Sequence, residues 1–522
     1  MRTAALSGVV ALACAMGIAG TAHADPDVPT TVVSSDFLLE GTNQVESGIP
    51  RNYAVNLGEN ASPRDFTRIV SRATKLGGVV LEQYPEFNSF FVQSADGGFA
   101  GKLNKEAAGA GIALHSIGPT RMAVVKGAEI VVPDANQSAI AEESKRESSF
   151  AVDSQLDDVA FSPDPDSSKA WGLEAIGADK AQSVDVKLSE VTVAVLDSGI
   201  DGDHPDLASQ IRRDLSVGCQ KNGVPDTSQS AWDDEHYHGT HVAGTIAAAH
   251  NGIGIDGVAP NAKLAAVKVS NADGLIYPEY VTCGFVWAAD KGIPITNNSY
   301  YVDPWLYWVA DDPTQAAGME VVSRAASYSH SKGVTHIAAA GNKGLDLDNP
   351  TTDSSSPNDR DKNMIIDRDV SKGTQIPTQL DPVIRVSAVG QAKTDKPMSA
   401  YEVPLVRAGF SNYGYKSIDV TAPGVSIYST IPMDLKTRPG VGYARLNGTS
   451  MAAPHVSGVA ALIKAVHPEY GPQEVRQQLG DQAATHYSRL RESYSADGEQ
   501  DYEYRGFGLV NAYAAVTEDL ED

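Results

Sequence analysis

The sequence predicts an α/β protein in which a large domain with a mainly parallel sheet follows a small α+β domain. From residue 169 onward, short apolar runs such as VTVAVLDSG and VIRVSAVG alternate with helical segments. Runs of Val, Ile and Ala without polar alternation are typical of parallel strands that helices cover on both faces. Residues 52–124 instead give the order β-α-β-β-α-β, which is typical of a ferredoxin-like fold. A length of 522 residues agrees with more than one domain.

The small domain has a clear first helix between strand-like segments. Ser62 precedes Pro63, as at many helix N-termini, and Gly77 and Gly78 end the segment. The flanking runs NYAVNL, VVLEQYP, SFFVQS and IALHSIG are typical of strands, and AGKLNKEAAGAG predicts the second helix. The apolar residues of the first helix share one face: Phe66, Ile69, Val70 and Ala73.

The N-terminus is typical of a secretory signal peptide over residues 1–24. Arg2 precedes a short apolar stretch, and Ala22 and Ala24 are the small residues that precede a cleavage site. The alternative is a membrane anchor, but the stretch is too short and too rich in small residues. No later segment reaches ~20 uninterrupted apolar residues, so we expect an extracellular protein without a membrane span. Residues 25–51 are an N-terminal extension.

The acidic composition of the chain limits its possible partners, and one acidic segment has the composition of a linker. A formal net charge of −25 argues against nucleic acid, whose phosphates would be repelled. Residues 125–168 are acidic, rich in Ser and poor in aromatic residues, which is typical of an exposed linker open to proteolysis.

Two of the three cysteines are expected in the exported protein. Cys14 leaves with the signal peptide, and Cys219 and Cys283 remain. An even pair in an oxidising compartment predicts a disulfide. The alternative is two separate buried thiols.

Three segments carry candidate catalytic side chains. Asp197 follows a buried strand, His238 lies near the start of a helix rich in small residues, and Ser450 begins another helix. Each residue alone could be an ordinary turn or cap residue. Together they supply a nucleophile, a base and a carboxylate that orients the base, and the chain order Asp, His, Ser is known for one class of peptidase.

The segments VLDSGIDGDHPDL, HGTHVAGTIAA and NGTSMAAPHVSG resemble the signature blocks of subtilisin-like serine peptidases. The resemblance covers residues 170 to 515 and implies the three-layer fold of that family. It implies that Ser450 attacks the scissile carbonyl, that His238 moves the proton and that Asp197 orients His238. Asn342, in AAAGNKG, matches the asparagine that stabilises the oxyanion.

Other functions fit the residues less well. His238 and His241 share a helix face, as zinc ligands can, but HGTH lacks the Glu of H-E-x-x-H and no Cys lies nearby. We expect His241 to pack and His236, with the preceding acids, to form a solvated loop. An esterase of the α/β-hydrolase class would need G-x-S-x-G and the order Ser, Asp, His. A catalytically inactive binding protein on the same scaffold stays an alternative.

The resemblance also implies a structural calcium site, while no cofactor is expected for catalysis. Its oxygen ligands would come from one aspartate and from the loop AHNGIGID, with a further ligand from the N-terminal segment near Ser167. The expected ligands are the side chains of Asp206 and Asn251 and the carbonyl groups of Ala249, Ile253 and Ile255.

The expected substrate groove departs from the family. Ser299 matches the edge strand that usually reads Ser-Leu-Gly, but Tyr300 and Tyr301 replace the Leu and Gly. Ala339 and Gly341 are expected to line the same groove. The polar loop 345–381 is extra. We therefore expect a narrowed or reshaped pocket and tighter selectivity among protein or peptide substrates.

Residues 52–124 resemble the propeptide of the family. Such a domain covers the groove, assists the folding of a sheet with many non-local contacts and is then removed. Cleavage is expected within 125–168, which leaves residues 169–522 as a monomeric catalytic domain. The alternative is a permanent accessory domain.

Overall fold

The computed structural model describes residues 48–125, 129–130, 163–360, 364–394, 397–435, 440–485 and 502–517. The signal peptide at 1–24, most of the extension at 25–51 and the expected cleavage sites at 131–162 lie outside the described residues. None of the described helices is long and apolar enough to cross a membrane.

The small domain has one antiparallel sheet with two helices. The strand order is β2-β3-β1-β4, which agrees with the ferredoxin-like prediction. Ser62 caps the first helix by accepting the Asp65 N–H at 3.2 Å. The elements are β1 (Arg51–Leu57), α1 (Pro63–Lys75), β2 (Val79–Tyr84), β3 (Ser89–Ser94), α2 (Phe99–Gly109) and β4 (Leu114–Pro119).

The large domain alternates strands and helices along the chain. Its strands are β5 (Thr192–Asp197), β6 (Val217–Gly218), β7 (Lys263–Lys268), β8 (Ile295–Asn298), β9 (Trp308–Val309), β10 (Thr335–Ala339), β11 (Thr352–Asp353), β12 (Arg368–Asp369), β13 (Gly373–Thr374), β14 (Val383–Gln391), β15 (Leu405–Arg407), β16 (Val420–Pro423), β17 (Ile427–Thr430) and β18 (Tyr443–Leu446). Its helices are α3 (Trp171–Ala175), α4 (Ala178–Ala181), α5 (Gln229–Trp232), α6 (His238–Ala247), α7 (Pro278–Asp290), α8 (Ala316–Ser331), α9 (Thr449–Val466), α10 (Pro472–Thr485), α11 (Tyr502–Arg505) and α12 (Ala514–Thr517).

The main sheet of the large domain is mostly parallel, as predicted. Its order is β15-β14-β10-β8-β5-β7-β6, with β16 paired to β14, and β15 is the antiparallel strand at one edge. Strand β8 lies between β5 and β10 and is parallel to both. The carboxyl ends of these three strands therefore meet at one edge of the sheet, where binding and catalytic groups gather in such folds.

The alternation of side chains along β5 produces three layers. Val193 and Val195 belong to the apolar cluster that contains residues of α6 and α9. Ala194 and Leu196 belong to a second cluster with residues of α7 and α8. Because successive strand residues point to opposite faces, a strand that is apolar throughout is buried by helices on both sides.

The small domain packs on α7 and α8 through buried polar contacts. Asn56 Nδ2 donates to the Ala317 carbonyl oxygen at 3.0 Å, and Arg324 donates to the Leu57 carbonyl oxygen at 2.9 Å. Glu279 of α7 is buried and accepts from Asn52 Nδ2 at 2.8 Å and from the Arg121 guanidinium. These contacts give the two domains a specific relative position.

Cys219 and Cys283 form the predicted disulfide, with a sequence separation of 64 residues. It links the segment after β6 to the middle of α7. Both residues are buried in the cluster beneath α7 and α8. The alternative of two separate thiols is therefore wrong.

Removing this disulfide should destabilise the large domain. Replacing both cysteines (Cys219→Ser and Cys283→Ser) should lower the free energy of unfolding by about 4 kcal/mol, because a loop of this length restricts the unfolded chain. Chemical denaturation of the double variant and of the wild type measures the change. Reduced wild type should match the variant. Alkylation of both thiols in the native, non-reduced protein would contradict the bond.

Candidate active site

Asp197 and His238 are joined at the sheet edge. Asp197 is the last residue of β5, and His238 is the first residue of α6. Asp197 Oδ1 lies 2.8 Å from His238 Nδ1 and also accepts the Ser198 N–H at 2.8 Å. Gly239 permits this close approach, because a Cβ added there would lie 2.1 Å from the Gly199 carbonyl oxygen.

Asp234 fixes the start of α6 and corrects one prediction. The acids before His236 were expected in a solvated loop, but Asp234 is buried. Its carboxylate accepts from the N–H and the hydroxyl of Thr240 at 3.0 and 2.6 Å and from the Ser198 hydroxyl at 2.9 Å. The first N–H groups of a helix lack intrahelical partners, so Asp234 satisfies one of them from outside the helix. Glu235 and His236 are exposed, as expected.

Asp197 controls the protonation of His238. Burial alone lowers the pKa of His238, but the negative charge of Asp197 and the hydrogen bond with it raise the pKa above its usual 6.5. His241 behaves in the opposite way: burial and the nearby His238 lower its pKa to about 3. Its Nε2 lies 3.1 and 3.2 Å from the carbonyl oxygens of Ile427 and Ala444. His241 is therefore neutral, and its position agrees with the packing role that we expected.

Ser450 is the second residue of α9, beside the end of β8. Its hydroxyl donates to the Ser299 carbonyl oxygen at 3.2 Å, and the Ser299 hydroxyl donates to the Ser450 carbonyl oxygen at 3.0 Å. Among the described contacts, the Ser450 hydroxyl has no hydrogen bond to His238. Such bonds often form only when substrate is bound.

Asn342 and the backbone of Ser450 direct two donors toward the same space. Asn342 Oδ1 accepts from the N–H and hydroxyl of Thr449 at 2.8 and 3.0 Å, which leaves its Nδ2 without a partner among the described residues. Gly448 has φ +153°, and a Cβ added there would lie 3.2 Å from Asn342 Nδ2 and 3.5 Å from the Ser450 nitrogen. Both nitrogen atoms therefore lie beside the space that a side chain at position 448 would fill.

A cavity of about 370 Å³ begins at Ser450 and Asn342. All five residues predicted for the substrate groove line it: Ser299, Tyr300, Tyr301, Ala339 and Gly341. The Tyr300 hydroxyl donates to Asn298 Oδ1 at 2.9 Å, and the Tyr301 hydroxyl accepts from Asn358 Nδ2 at 3.0 Å. Tyr301 therefore forms part of the cavity wall, as expected for a reshaped pocket.

The sequence did not reveal several residues of this cavity. The extra loop 345–381 contributes three of them, and a short segment after β8 contributes two. No local motif marks them, because the long-range path of the chain, and not a short sequence pattern, brings them to the cavity. They are Asn358, Gln375 and Thr378 from the loop, and Asp303 and Leu306 from the segment.

Comparison with known proteins identifies the family. The sequence profile of the subtilase family matches residues 189–508. The chain belongs to the subtilase family. Subtilisin DY from Bacillus licheniformis is 33% identical over 351 residues, which are 66% of this chain and 98% of that protein. Subtilisin E from Bacillus subtilis (strain 168) is 35% identical over 347 residues, which are 66% of this chain and 71% of that protein. This subtilase is accordingly a serine protease.

Solved structures show the same fold. The epidermin leader peptide processing serine protease from Staphylococcus aureus superposes with a TM-score of 0.61 at 19% identity, over 91% of this chain and 99% of that one. Fervidolysin, a keratinolytic enzyme from Fervidobacterium pennivorans, superposes with a TM-score of 0.58 at 23% identity, over 90% of this chain and 62% of that one. Because both likenesses cover about nine-tenths of this subtilase, they include the region of the small domain.

Four of the five predicted calcium ligands of this subtilase keep an oxygen atom without a partner among the described residues, whereas Asn251 Oδ1 accepts the Ile253 N–H at 3.1 Å. Asp206 Oδ2 accepts from the Ile255 N–H at 3.0 Å and from the Tyr443 hydroxyl at 2.8 Å, but Asp206 Oδ1 is buried without a partner. Among the described residues, the carbonyl oxygens of Ala249, Ile253 and Ile255 accept no hydrogen bond. These residues therefore fit a hard cation that prefers oxygen ligands.

The N-terminal segment near Ser167 contacts the same loop. The Ser167 hydroxyl donates to Asp256 Oδ2 at 2.7 Å and accepts the Asp256 N–H at 2.9 Å. Asp164 accepts from the N–H groups of Asn251 and Gly252 at 3.0 and 2.9 Å. Hydrogen bonds therefore attach this segment to the loop of the predicted calcium site.

The raised pKa of His238 predicts the acid limb of the activity profile. A base must be neutral, so kcat/KM should fall as the pH decreases through a pKa above 6.5. Asp197→Asn removes the charge that raises this pKa, so the inflection should move down and the rate should fall by about 10⁴-fold. Measurement of kcat/KM for peptide hydrolysis across the pH range gives both the pH of the inflection and the change in rate. A wild-type inflection below 6.5 would contradict the role of Asp197.

Proposed function

We propose that this serine endopeptidase cleaves peptide bonds with Asp197, His238 and Ser450 as its triad and Asn342 as an oxyanion donor. The observation that carries the proposal is the convergence of Asn342 Nδ2 and the Ser450 N–H on the space beside Gly448. The hydrogen bond of 2.8 Å between Asp197 and His238 supports the assignment of the base.

The first half of the reaction forms an acyl-enzyme. The Ser450 hydroxyl leaves the Ser299 carbonyl oxygen and attacks the scissile carbonyl carbon, while His238 Nε2 takes its proton. The carbonyl oxygen becomes an oxyanion and accepts from Asn342 Nδ2 and the Ser450 N–H. His238 then donates its proton to the leaving amine, and Asp197 stabilises the imidazolium that exists between these two transfers.

The second half releases the acid product. A water molecule takes the place of the amine and gives a proton to His238 as it attacks the acyl carbon. The same two donors stabilise the second oxyanion. When the bond to Ser450 Oγ breaks, His238 returns the proton to Ser450 and the enzyme is regenerated.

The protein is made as a secreted precursor in which the small domain is a propeptide. The signal-like residues 1–24 and the disulfide, which is typical of oxidising compartments, support export. The chain that leaves β4 runs beside the cavity: the N–H groups of Met122 and Ala123 both donate to Asp359 Oδ2 at 2.8 Å, next to Asn358 in the cavity wall. N-terminal sequencing of the secreted protein tests this, and a mature N-terminus before residue 125 would contradict it.

A calcium ion held by Asp206, Asn251 and the carbonyl groups of Ala249, Ile253 and Ile255 stabilises the fold of the mature enzyme. The unpartnered Asp206 Oδ1 supports this, since burial raises the pKa of Asp206 and a bound cation would compensate its charge. The ion takes no part in the chemistry.

Loss of the nucleophile or of the side-chain oxyanion donor should reduce activity by different amounts. Ser450→Ala should abolish casein hydrolysis and labelling by a serine-directed phosphonate. Asn342→Ala should lower kcat by about 10²–10³-fold but keep the labelling, because the backbone donor remains. Asn349→Ala, at the surface of the extra loop, is the control. Unchanged casein hydrolysis by Ser450→Ala would refute the proposed triad.

Removal of calcium should destabilise the protein. Calcium at 100 times its Kd contributes about 2.7 kcal/mol, so EDTA should lower the melting temperature and added calcium should restore it. Asp206→Asn should melt at a lower temperature and respond little to EDTA. Asp273→Asn, which changes an exposed side chain outside the predicted ligand set, should stay sensitive. A wild-type melting temperature that EDTA leaves unchanged would argue against the site.

A further inference from the structure

We propose that Asp303 makes the cavity beside Ser450 specific for a basic side chain, so that the enzyme cleaves after Arg or Lys. The inference rests on the proposed function, because it assigns this cavity to the residue whose carbonyl group Ser450 attacks.

The position of the cavity identifies the substrate residue that enters it. Ser450, Asn342 and Thr449 form one end, where the scissile carbonyl group would lie. The side chain on the acyl side of the scissile bond is attached one atom from that carbonyl carbon, so it is the substrate side chain that can enter. Asp303 lies in the same cavity, four residues after Ser299, and is 5% exposed.

The cavity has one acid inside and one base at its mouth. Of the described residues that line it, only Asp303 and Lys343 carry an acidic or basic side chain. Lys343 is exposed, and its Nζ donates to the Ser355 hydroxyl at 2.8 Å. No Lys, Arg or His among the described residues forms an ion pair with Asp303. The interior of the cavity therefore holds one acidic side chain that has no basic partner among the described residues.

The polar groups around Asp303 leave acceptors for a bound cation. Asp303 Oδ1 accepts from Asn358 Nδ2 at 2.7 Å, and Oδ2 accepts from the Ile276 N–H at 2.6 Å. Each carboxylate oxygen can accept a second bond. Asn358 Oδ1 is buried and has no partner. Gln375 Nε2 is a buried donor without a partner, but near Asp303 an ammonium or guanidinium group meets the acceptors of both Asp303 and Asn358.

Burial raises the free energy of the ionised Asp303 carboxylate, and a bound cation would lower it. Burial raises the pKa of Asp303 to about 7, which shows how poorly the cavity stabilises the charged form in the free enzyme. A substrate guanidinium or ammonium group would favour the charged form through charge-assisted hydrogen bonds. A neutral substrate side chain cannot stabilise the charged form in this way, and an acidic side chain would be repelled by it.

A peptide series with one variable position tests the inference. Fluorogenic peptides that differ only in the residue before the scissile bond would carry Arg, Lys, Gln, Met, Phe or Glu. For the wild type we expect kcat/KM for Arg and Lys to exceed that for Gln and Met by about 10- to 100-fold, the range of a charged hydrogen bond. Higher values for Phe, Met or Glu would overturn the inference.

Two variants assign the preference to Asp303. Asp303→Asn keeps an acceptor for the Ile276 N–H but removes the charge, so the ratio of Arg to Gln should fall by about 10-fold or more. Asp311→Asn, which removes an exposed charge paired with Lys372 outside the cavity, should keep the wild-type ratio. An Asp303→Asn enzyme that retains the full preference would overturn the inference.

The experiment separates this inference from the proposed function. Phosphonate labelling of Ser450 and cleavage of any peptide support the triad, whatever the residue preference. A labelled enzyme without basic preference therefore overturns only the role of Asp303, whereas no labelling and no cleavage overturn both. If Asp303→Asn does not fold, inhibition of the wild type by peptide aldehydes decides: the arginine aldehyde should bind about 10-fold or more tightly than the norleucine aldehyde, and equal binding would overturn the inference.

Discussion

The close contact between the end of β5 and the start of α6 is the constraint on which the site depends. His238 can reach Asp197 only because Gly239 packs against the Gly199 backbone with no space for a side chain. Asp234, buried beneath the helix start, accepts the Thr240 N–H and holds the first turn in place. Asp197 therefore contacts the imidazole of His238 directly, while Asp234 holds the backbone of the helix start, so the position of His238 follows from the packing of the scaffold.

Chemistry and selectivity come from different parts of the chain. The groups proposed for catalysis lie at or just after the carboxyl ends of β5 and β10 or at the N-termini of two helices, where rigid elements fix their positions. The cavity beside them is completed by Asp303 and by the 345–381 insertion. Loops tolerate sequence change better than a parallel sheet does, so selectivity can change without disturbing the catalytic groups.

The contacts of the small domain explain how it can be held firmly beside the catalytic domain. Arg121 and Glu279 form a buried ion pair, and Asn52 shares the same carboxylate. A buried pair of this kind contributes little net stability but disfavours other arrangements, because separation of the partners would leave a buried charge unpaired. The domain therefore has one preferred position, in which the chain after β4 passes along the cavity wall.

The sequence by itself determined the layers and the reactive groups. Apolar runs without polar alternation specify strands that are buried on both faces. The three motifs predict Asp197, His238 and Ser450 as catalytic residues, because such chemistry needs fixed residue types in short contiguous segments. Cys219 and Cys283 could be paired by count and compartment. These features depend on local pattern, which the sequence states directly.

Only the tertiary structure decided which distant groups surround them. Asp234 looked like part of an exposed acidic run, and its burial depends on α6 folding over it. Asp303 and Asn358 are 55 residues apart in the chain and carry no motif, yet Asn358 donates to Asp303 inside the cavity. The convergence of Asn342 Nδ2 and the Ser450 N–H likewise depends on the relative position of β10 and α9, which long-range packing fixes and local sequence does not encode.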